Sequence, residues 1–194
     1  MPWRSPAARP TVWRVVDAIF AEPRLAQIYD PLDPDRGDLD PYAAMVDEFG
    51  IRSVLDIGCG TGTFACLLAR RGLTVTAVDP AAASLSVARA KPGADRVRWV
   101  HGEATDLAPL RVDLVTMTAN VAQVFVTDAA WAATLRAAHA ALRPGGRLVF
   151  ETRDPAAKAW LEWNRERSYR RTVVAGVGAV QAWAGGHRSK GPGC

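Results

Sequence analysis

From Ser53 onward, short apolar runs alternate with stretches in which apolar residues recur every three or four positions. This is the pattern of parallel strands joined by crossover helices. Val54-Leu55-Asp56-Ile57 predicts the first strand, Thr74 to Val78 the second and Val97 to Val100 the third; Val112 to Thr116 is the fourth and Arg147 to Thr152 the fifth. Between them, Phe64, Leu67 and Leu68 mark a helix ended by Gly72. Leu85 and Ala88 mark one opened by Pro80 and stopped before Lys91-Pro92-Gly93. Trp131, Leu135, Ala138 and Leu142 mark a third, capped by Asp128, after which Pro144-Gly145-Gly146 turns the chain into the fifth strand. The expected class is α/β: a doubly wound, mostly parallel sheet with helices on both faces.

The flanks are less regular. Thr11 caps a predicted helix through Val12, Val15, Val16, Ile19 and Phe20, and the acidic, proline-broken stretch from Tyr29 to Arg36 reads as a loop. A second helix follows through Tyr42, Met45, Val46 and Phe49, with Gly50 as its stop. After the fifth strand, Asp154-Pro155 opens one more predicted helix carrying Trp160, Glu162, Trp163 and Glu166. Beyond Arg171, Val173-Val174 and Val177 to Trp183 have strand character, with room for one strand and hardly for a hairpin; the Gly, Lys, Arg and Pro tract from Gly185 to Cys194 is expected to be disordered. The expected organisation is an N-terminal covering segment (1–36), a core (37–171) and a weak strand with a basic tail (172–194).

Composition narrows the classes. A chain of 194 residues, 49% of them apolar, suits one buried core, and its apolar runs fall far short of the roughly 20 residues of a membrane span. The net charge of +4 is confined to the end: residues 1–154 hold 17 basic against 18 acidic side chains, residues 155–194 hold 7 against 2. A nearly neutral body argues against nucleic acid as a partner. Met1-Pro2-Trp3-Arg4-Ser5-Pro6 is followed by no secretory apolar run, and Cys59, Cys66 and Cys194 show neither metal-ligand spacing nor an even disulfide framework. A cytoplasmic location without a metal is expected.

The chemistry concentrates where the first strand meets its helix. Asp56-Ile57-Gly58-Cys59-Gly60-Thr61-Gly62 is a glycine turn that lets backbone approach a ligand closely, and Asp79 ends the next strand 17 residues after Gly62. In a dinucleotide fingerprint the third glycine would fall at position 63, which is Thr63 here. Asp56 also suits a cation better than a pyrophosphate. S-adenosylmethionine brings an ammonium and a sulfonium and no phosphate. A carboxylate at Asp79 can accept both hydroxyls of a ribose, and as an Asp before Pro80 it also reads as a helix cap; the two roles coexist.

In Val54 to Gly62, Val78-Asp79, Gly102-Glu103-Ala104 and Leu142-Arg143-Pro144-Gly145-Gly146, the sequence resembles the class I S-adenosylmethionine-dependent methyltransferases, over about residues 29 to 155. The resemblance implies a Rossmann-like fold whose last strands are incomplete here. It places Gly58, Cys59, Gly60 and Gly62, with Ile57, under the amino-acid moiety of the cofactor, Asp56 towards its ammonium, and Asp79 with Pro80 at the ribose. Glu103, where the family usually has Asp, and Ala104 would meet adenine. Tyr29 would cover the methionine end.

Thr118-Ala119-Asn120-Val121-Ala122-Gln123 follows the fourth strand, where the family places groups beside the sulfonium and the acceptor. Asn120 and Gln123 either bind there or open a helix. The segment lacks the Asn-Pro-Pro-Tyr or Asp-Pro-Pro-Tyr motif of enzymes that methylate exocyclic amines of bases, which points to a small-molecule acceptor. Arg153, at the exit of the fifth strand, is a candidate for an anionic acceptor. His101, His139 and His187 carry no spacing that makes any of them a general base, and no catalytic residue is assigned. Two rival readings remain: a truncated or non-catalytic cofactor-binding domain, motivated by the short C-terminus, and an NAD-linked oxidoreductase, disfavoured by Asp56 and Thr63.

Overall fold

The computed structural model describes residues 16–185. Its centre is a five-stranded sheet of β1 (Ser53–Ile57), β2 (Thr74–Asp79), β3 (Val97–His101), β4 (Val112–Met117) and β5 (Leu142–Phe150) in the order β3-β2-β1-β4-β5. Every adjacent pair is parallel. The order reverses between β1 and β4, where the outgoing connections diverge and a crevice opens beyond the carboxyl ends of the strands.

Both faces of the sheet are covered, so its strands are apolar on both sides. Val54, Val75, Ala77 and Leu114 pack on one face with Tyr42 and Val46 of α3 (Asp40–Glu48) and with Phe64, Leu68 and Ala69 of α4 (Thr63–Arg70). Leu55, Ile57, Val78, Val115 and Met117 pack on the other, with Ala138 and Ala141 of α6 (Asp128–Ala141). α5 (Ala82–Arg89) joins β2 to β3. The predicted α/β class and the five predicted strands stand, the first four within one residue of their expected ends and the fifth beginning five residues earlier than expected, at Leu142.

Several predicted elements change. Residues 29–32 are not loop: α1 (Ala18–Ala21) is followed by α2 (Pro23–Leu32), which runs through Tyr29 and Asp30. Pro31 lies one residue from its end, so the bond it fails to donate is among the last, and buried Ala26 and Ile28 hold the helix down. The predicted cap at Thr11 and the positions Val12 and Val15 lie outside the described residues, as does the tail from residue 186. α5 opens at Ala82 rather than Pro80, because the Asp79 carboxylate first takes the Ala81 N–H (2.7 Å). Thr127, not Asp128, caps α6 by accepting from the Ala130 N–H, and Asp128 is its first residue, where a negative charge suits the helix dipole.

Pro144-Gly145-Gly146 does not precede β5 but bulges within it: Val112 pairs with Leu142 and Leu114 with Arg147, so three extra residues of β5 are accommodated opposite a single β4 position. The predicted helix after Asp154 is broken into 3-10 turns at Pro155–Ala157 and Ala159–Glu162 and a short α7 (Arg165–Ser168). Lys158, in left-handed backbone, separates the two turns. The C-terminal segment does form a hairpin, β6 (Arg170–Val174) antiparallel to β7 (Gly178–Ala182). It builds a sheet of its own instead of extending the main one, and Arg170 ties it to the α2 end by donating to the Leu32 carbonyl (2.6 Å).

Gly62 shows how tightly the central turn is packed. It enters α4 with φ +75°, and a β-carbon there would fall 2.8 Å from the Ala88 methyl and into the Trp99 ring. Gly62→Ala is expected to lower stability by about 2–4 kcal/mol, combining left-handed strain with overpacking, as read from the urea midpoint.

Candidate functional site

The crevice at the strand reversal contains a cavity of about 100 Å³. Gly58, Cys59, Gly60 and Thr61 form its floor, Asp79 and Pro80 one side, Thr118, Ala119, Val121 and Val124 another, and Phe20, Tyr29 and Arg36 its cover. The floor is a tight turn. The Gly58 and Cys59 amides donate to the Val78 carbonyl (2.9 and 3.3 Å), and the Gly62 amide closes on the Cys59 carbonyl (2.8 Å). Gly58 is pressed against Val121, since a β-carbon would come within 2.6 Å of its methyl, whereas a β-carbon on Gly60 would meet nothing within 4 Å. Gly60 is thus the turn residue left open to a ligand.

Asp79, 7% exposed, fastens the turn to β2: its Oδ2 accepts from the Gly60 amide (2.8 Å) and its Oδ1 from Ala81. An ionised carboxylate has about four acceptor positions, so two remain. Burial raises its pKa, with the two backbone bonds opposing. Asp56 lies beneath the turn, 1% exposed. Its Oδ1 accepts from the Thr116 hydroxyl (2.8 Å) and its Oδ2 has no partner among the described residues. Burial raises its pKa to about 7, against the Thr116 bond and with repulsion from Asp79; the Arg36 charge is near enough to lower it slightly. The Cys59 thiol is pushed up by burial and by both aspartates, which keeps it protonated.

The cover is held by polar contacts from several directions. Asp30 of α2 accepts from the Thr61 hydroxyl (2.6 Å) and pairs with Lys91 (2.7 Å), which also donates to Thr63 (2.7 Å). Ser84 of α5 donates to the Phe20 carbonyl (2.9 Å), and the Phe20 and Tyr29 rings lie 5.2 Å apart. Burial raises the Tyr29 pKa while Arg36 opposes it. Arg36 forms a bidentate pair with Asp38 (2.9 and 3.1 Å), which raises its own pKa. A second cavity of about 260 Å³ shares Arg36 and Thr63 with the first and is lined further by Asp30, Arg70 and Lys91.

Of the residues singled out in the sequence, the structure brings Tyr29, Gly58, Cys59, Gly60, Asp79 and Pro80 to the cavity wall. Asp56, Ile57, Gly62, Glu103, Ala104 and Asn120 are not part of it. Ile57 and Ala104 belong to the core on one face, and Glu103 forms a reciprocal capping box with Asp106. Arg153 stacks over Trp163 (5.2 Å) and donates to Gln123 (3.2 Å), while the His101 Nε2 lies 3.0 Å from the Pro80 carbonyl. Sequence reasoning missed Arg36, Asp30, Thr61 and Phe20. Thr61 stood inside the glycine motif, and the others lay in the expected covering segment (1–36), where no spacing singled them out for the site before α2 folded over the turn.

Residues 54–146 match the family described as a methyltransferase domain. Over 106 residues the chain is 37% identical to the cypemycin N-terminal methyltransferase of a Streptomyces species, covering 54% of this chain and 43% of that protein. Over 140 residues it is 34% identical to the malonyl-[acyl-carrier protein] O-methyltransferase of Pseudescherichia vulneris, covering 72% and 53%. Among solved structures it resembles an amino pentose methyltransferase of Micromonospora echinaspora involved in calicheamicin biosynthesis, determined with S-adenosylmethionine bound: TM-score 0.59, 27% identity, 75% of this chain and 63% of that one. The matched domain, these relatives and this solved structure are all methyltransferases, which supports a class I S-adenosylmethionine-dependent methyltransferase. It spans about half the length of the curated relatives it matches. Among the described residues no helix is long and apolar enough to cross a membrane.

The buried acid beneath the turn has a measurable signature. With its folded pKa near 7 and its ordinary value at 3.8, Asp56 keeps a proton in the folded state that the unfolded chain has released. Its contribution to stability therefore falls as pH rises through that window. Relative to Asp56→Asn, the cofactor-free protein should be about 2–3 kcal/mol less stable at pH 8 than at pH 5, in paired urea titrations.

Proposed function

We propose that the chain transfers a methyl group from S-adenosylmethionine to a small-molecule acceptor. The observation that carries this reading is the coupling of the glycine turn to Asp79 at the strand reversal, with the Gly60 amide bound to one carboxylate oxygen. One rigid unit then offers open backbone at Gly60 and two unused acceptor positions on Asp79, which suit the amino-acid end and the ribose of the cofactor.

The remaining groups fit the same ligand. Asp56 has an unpartnered oxygen in a dry setting, a position an ammonium group would satisfy. Arg36, already oriented by Asp38, offers its guanidinium to the carboxylate, and Phe20 and Tyr29 close over the methionine end. A pyrophosphate at the turn would lie against Asp79 with the Asp56 carboxyl buried beneath it, which disfavours a dinucleotide. Glu103 with Ala104, and Asn120, are proposed as adenine-side and sulfonium-side contacts on the strength of the family resemblance.

When bound, the cofactor supplies an activated methyl group on a sulfonium that departs as a neutral thioether. The protein's residues have the tasks of binding, orientation and exclusion of water. The turn and Asp79 fix the donor, and the α1–α2 cover keeps solvent out. By their names, the relatives and the solved structure cited above are an N-terminal methyltransferase of cypemycin, an O-methyltransferase of malonyl-[acyl-carrier protein] and a methyltransferase of an amino pentose, so the shared domain does not itself select the acceptor atom.

Calorimetry with S-adenosylhomocysteine tests the reading. A dissociation constant in roughly the micromolar range is expected, weakened about a hundredfold or more by Asp79→Ala. No heat from the unsubstituted protein would overturn it. Arg36→Met should weaken S-adenosylhomocysteine about tenfold or more yet leave 5′-methylthioadenosine, which has no carboxylate, nearly unchanged.

A further inference from the structure

At the end of β4, Ala119 and Asn120 both adopt left-handed backbone, with φ +55° and +66°. Glycine enters this region freely. Asparagine does so at some disadvantage, and alanine at more, because its β-carbon crowds the following carbonyl. Two consecutive non-glycine residues persist there when something outside the turn holds them.

The structure shows such a tether. The Asn120 N–H donates to Glu151 Oε1 at 2.7 Å, across 31 positions of sequence. Glu151 directly follows β5, whose last residue, Phe150, pairs with Met117 of β4. The consequence appears one residue on: Val121 is buried and set so close to Gly58 that no β-carbon fits between them. Ala119 and Val121 both line the cavity, and Glu151 does not.

We infer that Glu151 is a positioning residue for the cofactor site: by holding the Asn120 amide it keeps the Ala119-Asn120 turn left-handed and seats Val121 against Gly58. The inference rests on the methyltransferase reading for its effect on ligand binding, but the tether itself is independent of it. Any cofactor that uses the Gly58 turn would respond to Glu151 without touching it.

The test uses the full chain, S-adenosylhomocysteine calorimetry and amide hydrogen exchange at Asn120. Glu151→Ala should weaken the ligand about tenfold and speed Asn120 exchange, while Glu151→Gln, which keeps an acceptor oxygen, should stay within about threefold of the unsubstituted protein. Adding Ala119→Gly to Glu151→Ala should recover affinity to within about threefold, because glycine needs no tether to stay left-handed. General loosening of the β5 end would not be repaired by removing one methyl group from Ala119. Unchanged Asn120 exchange in Glu151→Ala, or a double variant as weak as the single, overturns the inference. If the unsubstituted protein binds no S-adenosylhomocysteine, the functional reading fails and the exchange measurement still decides the tether.

Discussion

The bond from the Gly60 amide to Asp79 is the contact on which the site depends. It joins a flexible turn to the end of a buried strand, and the Ala81 bond to the same carboxylate sets where α5 begins. A buried carboxylate needs donors to offset its desolvation, and a glycine turn needs a fixed anchor to keep its amides aimed in one direction. Each requirement meets the other. The steric fit supports this arrangement: Gly58 lies under Val121 and Gly62 under Ala88 and Trp99, so the turn is clamped at both ends and open at the middle.

On that floor the α1–α2 cover is attached by polar contacts as well as by the burial of Ala26 and Ile28. Asp30 reaches the Thr61 hydroxyl inside the turn and Lys91 beyond α5, so one carboxylate links the cover, the floor and the neighbouring helix end. Both partners of the ion pair are partly exposed, which makes it modest in energy and reversible.

The parts of the fold legible in the sequence were those specified locally. Short apolar runs gave the strands and three-to-four spacing the core helices, and the glycine spacing with Asp56 and Asp79 gave the turn, because these residues act through near neighbours or through strand register. The cover was misread because Pro31 and the acids around it resemble a loop, while the features that favour a helix, burial of Ala26 and Ile28 and the Asp30–Thr61 bond, depend on tertiary contacts 31 residues away. Arg36 was invisible for the same reason. The segment after Asp154 looked like a capped helix, and Asp154 does accept from the Ala156 amide, but the left-handed backbone at Lys158 ends the first turn at once.

The two ends of the sheet place the same residue type in opposite circumstances, which separates a structural acid from one suited to a ligand. At the amino end, Asp113 is buried, yet the Arg52 and Ser53 amides bind one oxygen (2.8 and 3.0 Å) and the Arg143 guanidinium lies 2.6 Å from the other. Burial pushes its pKa up, and those donors outweigh burial, so the group stays charged below the ordinary range. At the carboxyl end, Asp56 has a single hydroxyl donor, an unpartnered oxygen and a pKa pushed to about 7. Leaving that oxygen bare makes the cofactor-free protein less stable at neutral pH and raises the gain when a cation arrives. The imbalance between the two aspartates is the observation on which the proposed ammonium contact at Asp56 rests.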